Sequence, residues 1–156
     1  MIPKKAPIIR RGIMKNRKRG FSLVELLIVL AVIAALIATI TPVALNAIKK
    51  SKATQVAQNL KTLASALENS AYVNGITPSN EIKDADGNAI EIEDLGREID
   101  TKKYEMTYTL NNTGLVSATV TYKGHDVDAD IVHEMLPLAT GSTGGTITYA
   151  ITFEVY

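Results

Sequence analysis

Glu25 is the only ionisable residue between Gly20 and Lys49, and it stands just ahead of an unbroken apolar run from Leu26 to Ala38. A carboxylate at the centre of a membrane helix costs about 2.5–3.5 kcal/mol on insertion scales, and less near the interface. Such an acid calls for a partner that offsets the cost. Two further groups of acids could do chemistry. Asp84, Asp86 and Asn88, with Glu91 and Glu93 nearby, set oxygen ligands at alternating positions, which suits calcium. The glycine at Gly87 is misplaced for an EF-hand loop, and a solvated hairpin turn explains the same residues. Asp126, Asp128 and Asp130, followed by His133 and Glu134, form a second acidic comb. It is either another calcium candidate or a polar loop leading into a short segment around Ile131 to Leu136. His125 and His133 are the only histidines. A hydrolytic triad needs a histidine beside a poised nucleophile, and the chain has no Gly-x-Ser-x-Gly string. Gly144-Gly145 lacks the lysine and helix that follow a phosphate-cradling loop. With no cysteine, thiol catalysis and thiolate zinc sites are excluded. No catalytic residue is expected.

The elements that position these residues are legible in outline. The 156 residues suit one modest domain plus a membrane segment. Residues 1–20 hold eight of the 17 basic residues and no acid, which leaves nine basic against 16 acidic residues, a formal charge of −7, for residues 21–156. That body has no basic surface for nucleic acid. The N-terminal charge instead orients the chain: Lys and Arg stay cytoplasmic, and the C-terminal part is translocated. The 21 residues from Phe21 to Thr41 span about 31 Å as a helix, enough to cross a bilayer core. The run lacks a small-residue cleavage site at its far end, unlike a secretory signal peptide. Met14 is an alternative start. After Pro42 the helical pattern continues through Leu45, Ile48, Val56, Leu60, Leu63 and Leu67, with Lys49, Lys52, Gln55, Asn59, Lys61 and Glu68 on the other face. Asn74-Gly75 is a stop signal. The prediction is one helix from Phe21 to Val73, apolar all round in residues 21–41 and amphipathic in 42–73, with a kink at Pro42. Residues 74–103 read as a connecting region with a small hairpin around Asp86-Gly87, its arms Glu81–Lys83 and Ala89–Glu93. Within 104–156, three strands show alternation: Tyr104 to Leu110, Val116 to Tyr122 and Ile147 to Val155, the first two joined by a turn at Asn111 to Gly114. The fold class expected is therefore α+β, a long N-terminal helix packed on an antiparallel sheet. Asn111-Asn112-Thr113 also fits a glycosylation sequon.

The string Gly20-Phe21-Ser22-Leu23-Val24-Glu25, framed by Lys15, Arg17, Lys18 and Arg19 before it and the apolar run after it, resembles the N-terminus of type IV pilins and pseudopilins. The resemblance is strong from about Arg17 to Pro42 and rests on architecture beyond Tyr72. It implies a leader, residues 1–20, cut after Gly20 by a prepilin peptidase in the membrane, with methylation of the new N-terminal Phe21. It makes Glu25 the acid that sets assembly register. A cut there creates an α-amino group with a reference pKa of about 7.7–8.0, cationic at neutral pH. In low dielectric this ammonium attracts a carboxylate far more strongly than in water. Glu25 can meet its own chain's amine or a neighbour's, and the second choice rewards one axial stagger between helices. Pro42 matches many type IV pilins, whose helix bends or melts there; no glycine lies between Phe21 and Pro42, so extensive melting is not expected. Many relatives close a C-terminal loop with a disulfide and some pseudopilins use calcium there. With no cysteine in this chain, hydrogen bonds, packing or an ion must serve.

The resemblance further implies a filament made of copies of the chain, a membrane platform protein, a motor ATPase, and residence in the inner membrane, N-terminus in, before assembly. Calcium apart, no cofactor is expected. The rival readings are a secretion pseudopilin or minor pilin, and, from another class, a monomeric membrane-anchored adhesin module, with or without calcium, that retains residues 15–20. Lys49, Lys50 and Lys52, just past the span, are either a solvated collar or partners for lipid headgroups or the acids of neighbouring subunits.

Overall fold

The computed structural model describes residues 20–77, 79, 81–84, 86–111, 113–142 and 145–155. Met14 and the rest of residues 1–19 lie outside them, as does Asn112 of the sequon. The chain divides into two compact units whose boundary falls between Thr41 and Pro42.

One element, helix α1 (Leu23–Asn74), contributes to both units and carries Pro42 inside it. In the first unit every large apolar side chain, from Phe21 to Ile40, is exposed. α1 passes the length and composition test for a membrane span near the N-terminus. In the turn before Pro42, Thr39 and Thr41 return their hydroxyls to the carbonyls of Leu36 and Ile37 at 2.9 and 2.7 Å. Pro42 has no N–H to offer the carbonyl of Ala38, yet the helix runs on without a break. Its far end is a left-handed cap: Gly75 has φ +73° and its N–H donates to the Ala71 carbonyl at 2.9 Å.

In the second unit α1 buries Ala53, Val56, Ala57, Leu60, Leu63, Ala64, Leu67 and Ala71, a stripe of threes and fours that faces the sheet. The expected stripe began earlier, at Leu45 and Ile48. Both are 54% exposed, because nothing in the head covers α1 before Ala53. The connecting region holds a reduced hairpin. Lys83 bridges Ala89, the Ile90 N–H donates to Ile82 O at 2.8 Å, and Gly87 turns the chain with φ +86°. Its second arm is shorter than expected, since Ile92 and Glu93 belong to a helical turn, α2 (Ile92–Leu95). The Glu91 N–H donates to Asp94 Oδ2 at 3.0 Å and caps that turn. Ile92, Leu95 and Ile99, at helix-like spacing, then pack against the core.

The sheet comprises β1 (Tyr104–Leu110), β2 (Leu115–Tyr122), β3 (Ala139–Gly141) and β4 (Ile147–Glu154), antiparallel throughout in the order β1-β2-β4-β3. The three alternating segments are strands, as expected, with Tyr104 opposite Tyr122 and Val116 opposite Phe153. β3 had no signal, being three residues long. The segment around Ile131 to Leu136 is a helix, α3 (Ala129–Met135), anchored by the fully buried Val132. The apolar face of the sheet meets α1 in two clusters, one around Leu60, Leu63, Val120 and Tyr149, the other around Leu67, Ile82, Val116 and Phe153. The opposite face carries threonines in cross-strand pairs such as Thr107 with Thr119. This is an α+β fold, a long N-terminal helix packed on a four-stranded antiparallel sheet, as in pilins.

Gly141 lets α3 lie against β3. A Cβ built there would sit 2.4 Å from the Ala129 Cβ, an atom that cannot move without its helix. Gly141→Ala is therefore expected to destabilise the head by about 1–3 kcal/mol. Thermal unfolding checks this, and an unchanged midpoint would show that the approach has slack.

Candidate assembly site

Gly20 and Phe21 precede α1 in exposed, non-helical backbone, and Phe21 is 83% exposed. A Cβ built on Gly20 meets no atom within 4 Å, so the Gly20–Phe21 junction is sterically open. Ser22 and Glu25 then start the helix together. Glu25 Oε2 accepts the Ser22 N–H at 2.9 Å, and Ser22 Oγ accepts the Val24 N–H at 3.3 Å. The Ser22 carbonyl takes the Leu26 N–H at 3.1 Å. This is the Ser-x-x-Glu capping arrangement, which satisfies donors a new helix leaves open, at the end where the helix dipole favours an anion. Sequence reasoning assigned Glu25 a charge partner and missed this local task, although the Ser22-to-Glu25 spacing carried the signal. The carboxylate so placed already has a neutral donor in its own chain, and its second oxygen is available for a cation.

Of the acids proposed for calcium, Asp84, Asp126 and Asp128 have their carboxylates engaged in local structure. Asp84 Oδ1 accepts the N–H groups of Asp86 and Asn88 at 2.9 and 2.8 Å, and Oδ2 accepts Asn88 Nδ2 at 3.3 Å. These bonds, that from the Asn88 backbone foremost, hold the Asp84 carboxyl below its usual range. Asp128 caps α3 by accepting the Asp130 N–H at 3.1 Å. Among the described residues no cluster of three or more His, Asp or Glu is arranged to hold a metal. Asn111 likewise organises the β1–β2 turn: its Oδ1 accepts from Thr113 N, Thr113 Oγ1 and Leu115 N at 3.0, 2.7 and 2.9 Å.

Asp126 does something the sequence did not reveal. It accepts the Tyr122 hydroxyl on Oδ1 and faces Lys52 Nζ across 3.6 Å on Oδ2, so it ties the loop after β2 to α1. Beside it Asn59 Nδ2 donates to Tyr104 Oη at 3.0 Å, and the rings of Tyr104 and Tyr122 lie 5.1 Å apart. These residues, with Glu98, Asp100 and Lys103, line a cavity of about 370 Å³. Its lining mixes both charges, with Lys52 and Lys103 beside Glu98, Asp100 and Asp126. His133 Nδ1 is engaged by the Ala139 carbonyl at 2.8 Å. Burial pushes the Tyr122 and Tyr104 hydroxyls up, so both stay protonated at neutral pH.

The Tyr122 hydrogen bond, then the backbone N–H of Asp126 itself and the charges of Lys103 and Lys52, hold the Asp126 carboxyl below its usual range against an opposing desolvation. A depressed folded-state pKa stabilises the fold above the unfolded value of 3.8 and ceases to do so as pH falls through the folded value. The loop clamp is thus intact at neutral pH, and its contribution is lost as pH falls from 3.8 through the lower folded value. Asp126→Ala is expected to cost about 1 kcal/mol at pH 7, discounted for a side chain 43% exposed, and less at about pH 2, where the carboxylate charge is being lost. Unfolding midpoints of both proteins at the two pH values measure the difference; an equal loss at both would sink the clamp.

A long helix on an antiparallel sheet, with an acid near the start of its apolar half, defines the pilin-like class of architecture. Residues 15–41 match the model for the prokaryotic N-terminal methylation motif, the hallmark of type IV pilin-like prepilins. That motif points to a structural, membrane-associated protein of the pilin or pseudopilin kind. No curated protein and no solved structure matches the chain.

Proposed function

We propose that the chain is the structural subunit of a type IV pilus or related filament. It is cut after Gly20, methylated at Phe21 and polymerised through the apolar half of α1. One observation carries this reading: the methylation motif coincides with the first half of α1, whose large apolar side chains from Leu23 to Ile40 are all exposed among the described residues. In the membrane, lipid covers them; in a filament, copies of the same helix do. Glu25, with one oxygen uncommitted to the cap, pairs with the Phe21 amine of a neighbour and sets the axial stagger. Head-to-tail contacts that do not close on themselves produce an open helical polymer. The mechanism is assembly, with no active site. A prepilin peptidase, a membrane platform protein and a motor ATPase act on the chain, which spans the inner membrane, N-terminus in, before it joins a filament outside.

Intact-mass and N-terminal peptide analysis of filaments sheared from the cell surface tests this. A dominant species starting at methylated Phe21 supports a major subunit. Processed chain confined to the membrane fraction supports a pseudopilin or minor pilin. Uncut chain retaining Lys15 to Gly20 identifies a plain anchor and overturns the assembly mechanism.

A further inference from the structure

α1 carries an unpartnered stretch within the second unit. Val43, Leu45 and Ile48 are 68%, 54% and 54% exposed, and the stretch ends in the exposed cations Lys49 and Lys50. Among the described residues the ion pairs are Lys52 with Asp126 and Lys123 with Glu105, and neither Lys49 nor Lys50 is paired there. The opposite charge lies elsewhere on the same head. Residues 81–100 hold eight acids against Lys83 and Arg97, half of the 16 acids in the sequence. Glu91, Glu93 and Glu98 are exposed there and in no ion pair.

We propose that the Lys49–Lys50 collar of one copy docks on the Glu91–Glu98 segment of a second copy. This rests on the filament reading and names one contact within it. Residues 21–156 carry −7, so heads packed side by side repel unless opposite patches meet. Charge complementarity points to a second copy, because the segment that holds half of the acids in the sequence recurs at every subunit. Its position also fits. Gly96 abuts Leu63, where an added Cβ would lie 3.1 Å from Leu63 Cδ2. Leu63 is fourteen residues along α1 from Lys49, about 21 Å at helical rise. A copy displaced by about that distance along α1 brings the collar level with Glu91 to Glu98, and Leu45 and Ile48 find cover at the same contact. Each exposed pair is weak and screened by salt, so the contact selects register more than it supplies cohesion.

The chain has no cysteine, so introduced thiols have no competitors. With Lys50→Cys and Glu93→Cys combined, mild oxidation of sheared filaments is expected to give a reducible ladder of chain multiples. Lys50→Cys combined with Glu134→Cys, on α3, is expected to give none. Independently, K49E with K50E is expected to lower filament yield about tenfold, and adding E91K with E93K to restore most of it. If the cysteine pair itself blocks assembly, the charge exchange decides alone. Wild-type filaments of processed chain with no ladder and no rescue would overturn this contact and leave the filament reading standing. A loss that acid reversal does not rescue, accompanied by weaker binding to vesicles containing phosphatidylglycerol, would assign the collar to lipid instead. A chain that stays uncut and forms no filament overturns both.

Discussion

Replacing Glu25 by alanine is expected to reduce surface filaments at least tenfold while leaving membrane insertion intact. Removal of a carboxylate lowers the cost of insertion, so loss of assembly cannot be ascribed to a chain left outside the bilayer. The alanine variant removes two things together, the negative charge and the cap that Glu25 gives the Ser22 N–H at 2.9 Å. Glu25→Gln separates them. Glutamine at the third helical position can still reach back to the first donor, but it presents no charge to a Phe21 amine. The expected result is that Glu25→Gln fails nearly as badly as Glu25→Ala, because register depends on the charge. Normal filament yield with glutamine would reduce Glu25 to a helix cap and end the register mechanism. Fractionation and quantification of sheared filaments, with membrane extracts as the control, read both outcomes.

The second large effect is on the head. Leu63 is fully buried and sits in the cluster that joins α1 to β2 and β4. Leu63→Ala is expected to cost about 2–5 kcal/mol, a large share of the about 5–15 kcal/mol that holds a domain folded. The midpoint of thermal unfolding should fall by about 10 °C. Leu45→Ala makes the same chemical change 18 residues earlier on the same helix. Leu45 is 54% exposed, so its loss should alter head stability by no more than about 0.5 kcal/mol. A comparable loss at both positions would mean that the sheet covers α1 further toward Pro42 than the structure shows. Circular dichroism of the purified chain distinguishes the cases.

Much of this molecule is legible because its signals are local. The methylation motif is a contiguous string. The alternation of Tyr104, Met106, Tyr108 and Leu110, and of Val116, Ala118, Val120 and Tyr122, marks strands that are wet on one side. The end of α1 is written in Gly75, which adopts the left-handed conformation a helix cap favours. Ser22 and Glu25 carry an equally local capping signal in their three-residue spacing.

The remainder depends on partners distant in sequence. β3 is a strand only because β4 offers its edge, with Ala139 opposite Tyr149, and three residues have no period to detect. Ile90 and Ile92 alternate like a strand, yet Ile92 turns into α2, where it packs against the core together with Leu95. Leu45 and Leu60 read alike, and where the sheet ends alone decides that Leu60 is buried and Leu45 is not. The acids at 84, 126 and 128 read alike too. Backbone donors claim Asp84 and Asp128, while a tyrosine four residues back and a lysine on α1 claim Asp126. Sequence by itself determined the class of fold, the strand faces and the N-terminal motif, because propensity, period and motif act over neighbouring residues. Only the tertiary structure decided which apolar residues are covered and which acids are occupied, because burial and hydrogen bonding belong to pairs that the chain brings together on folding.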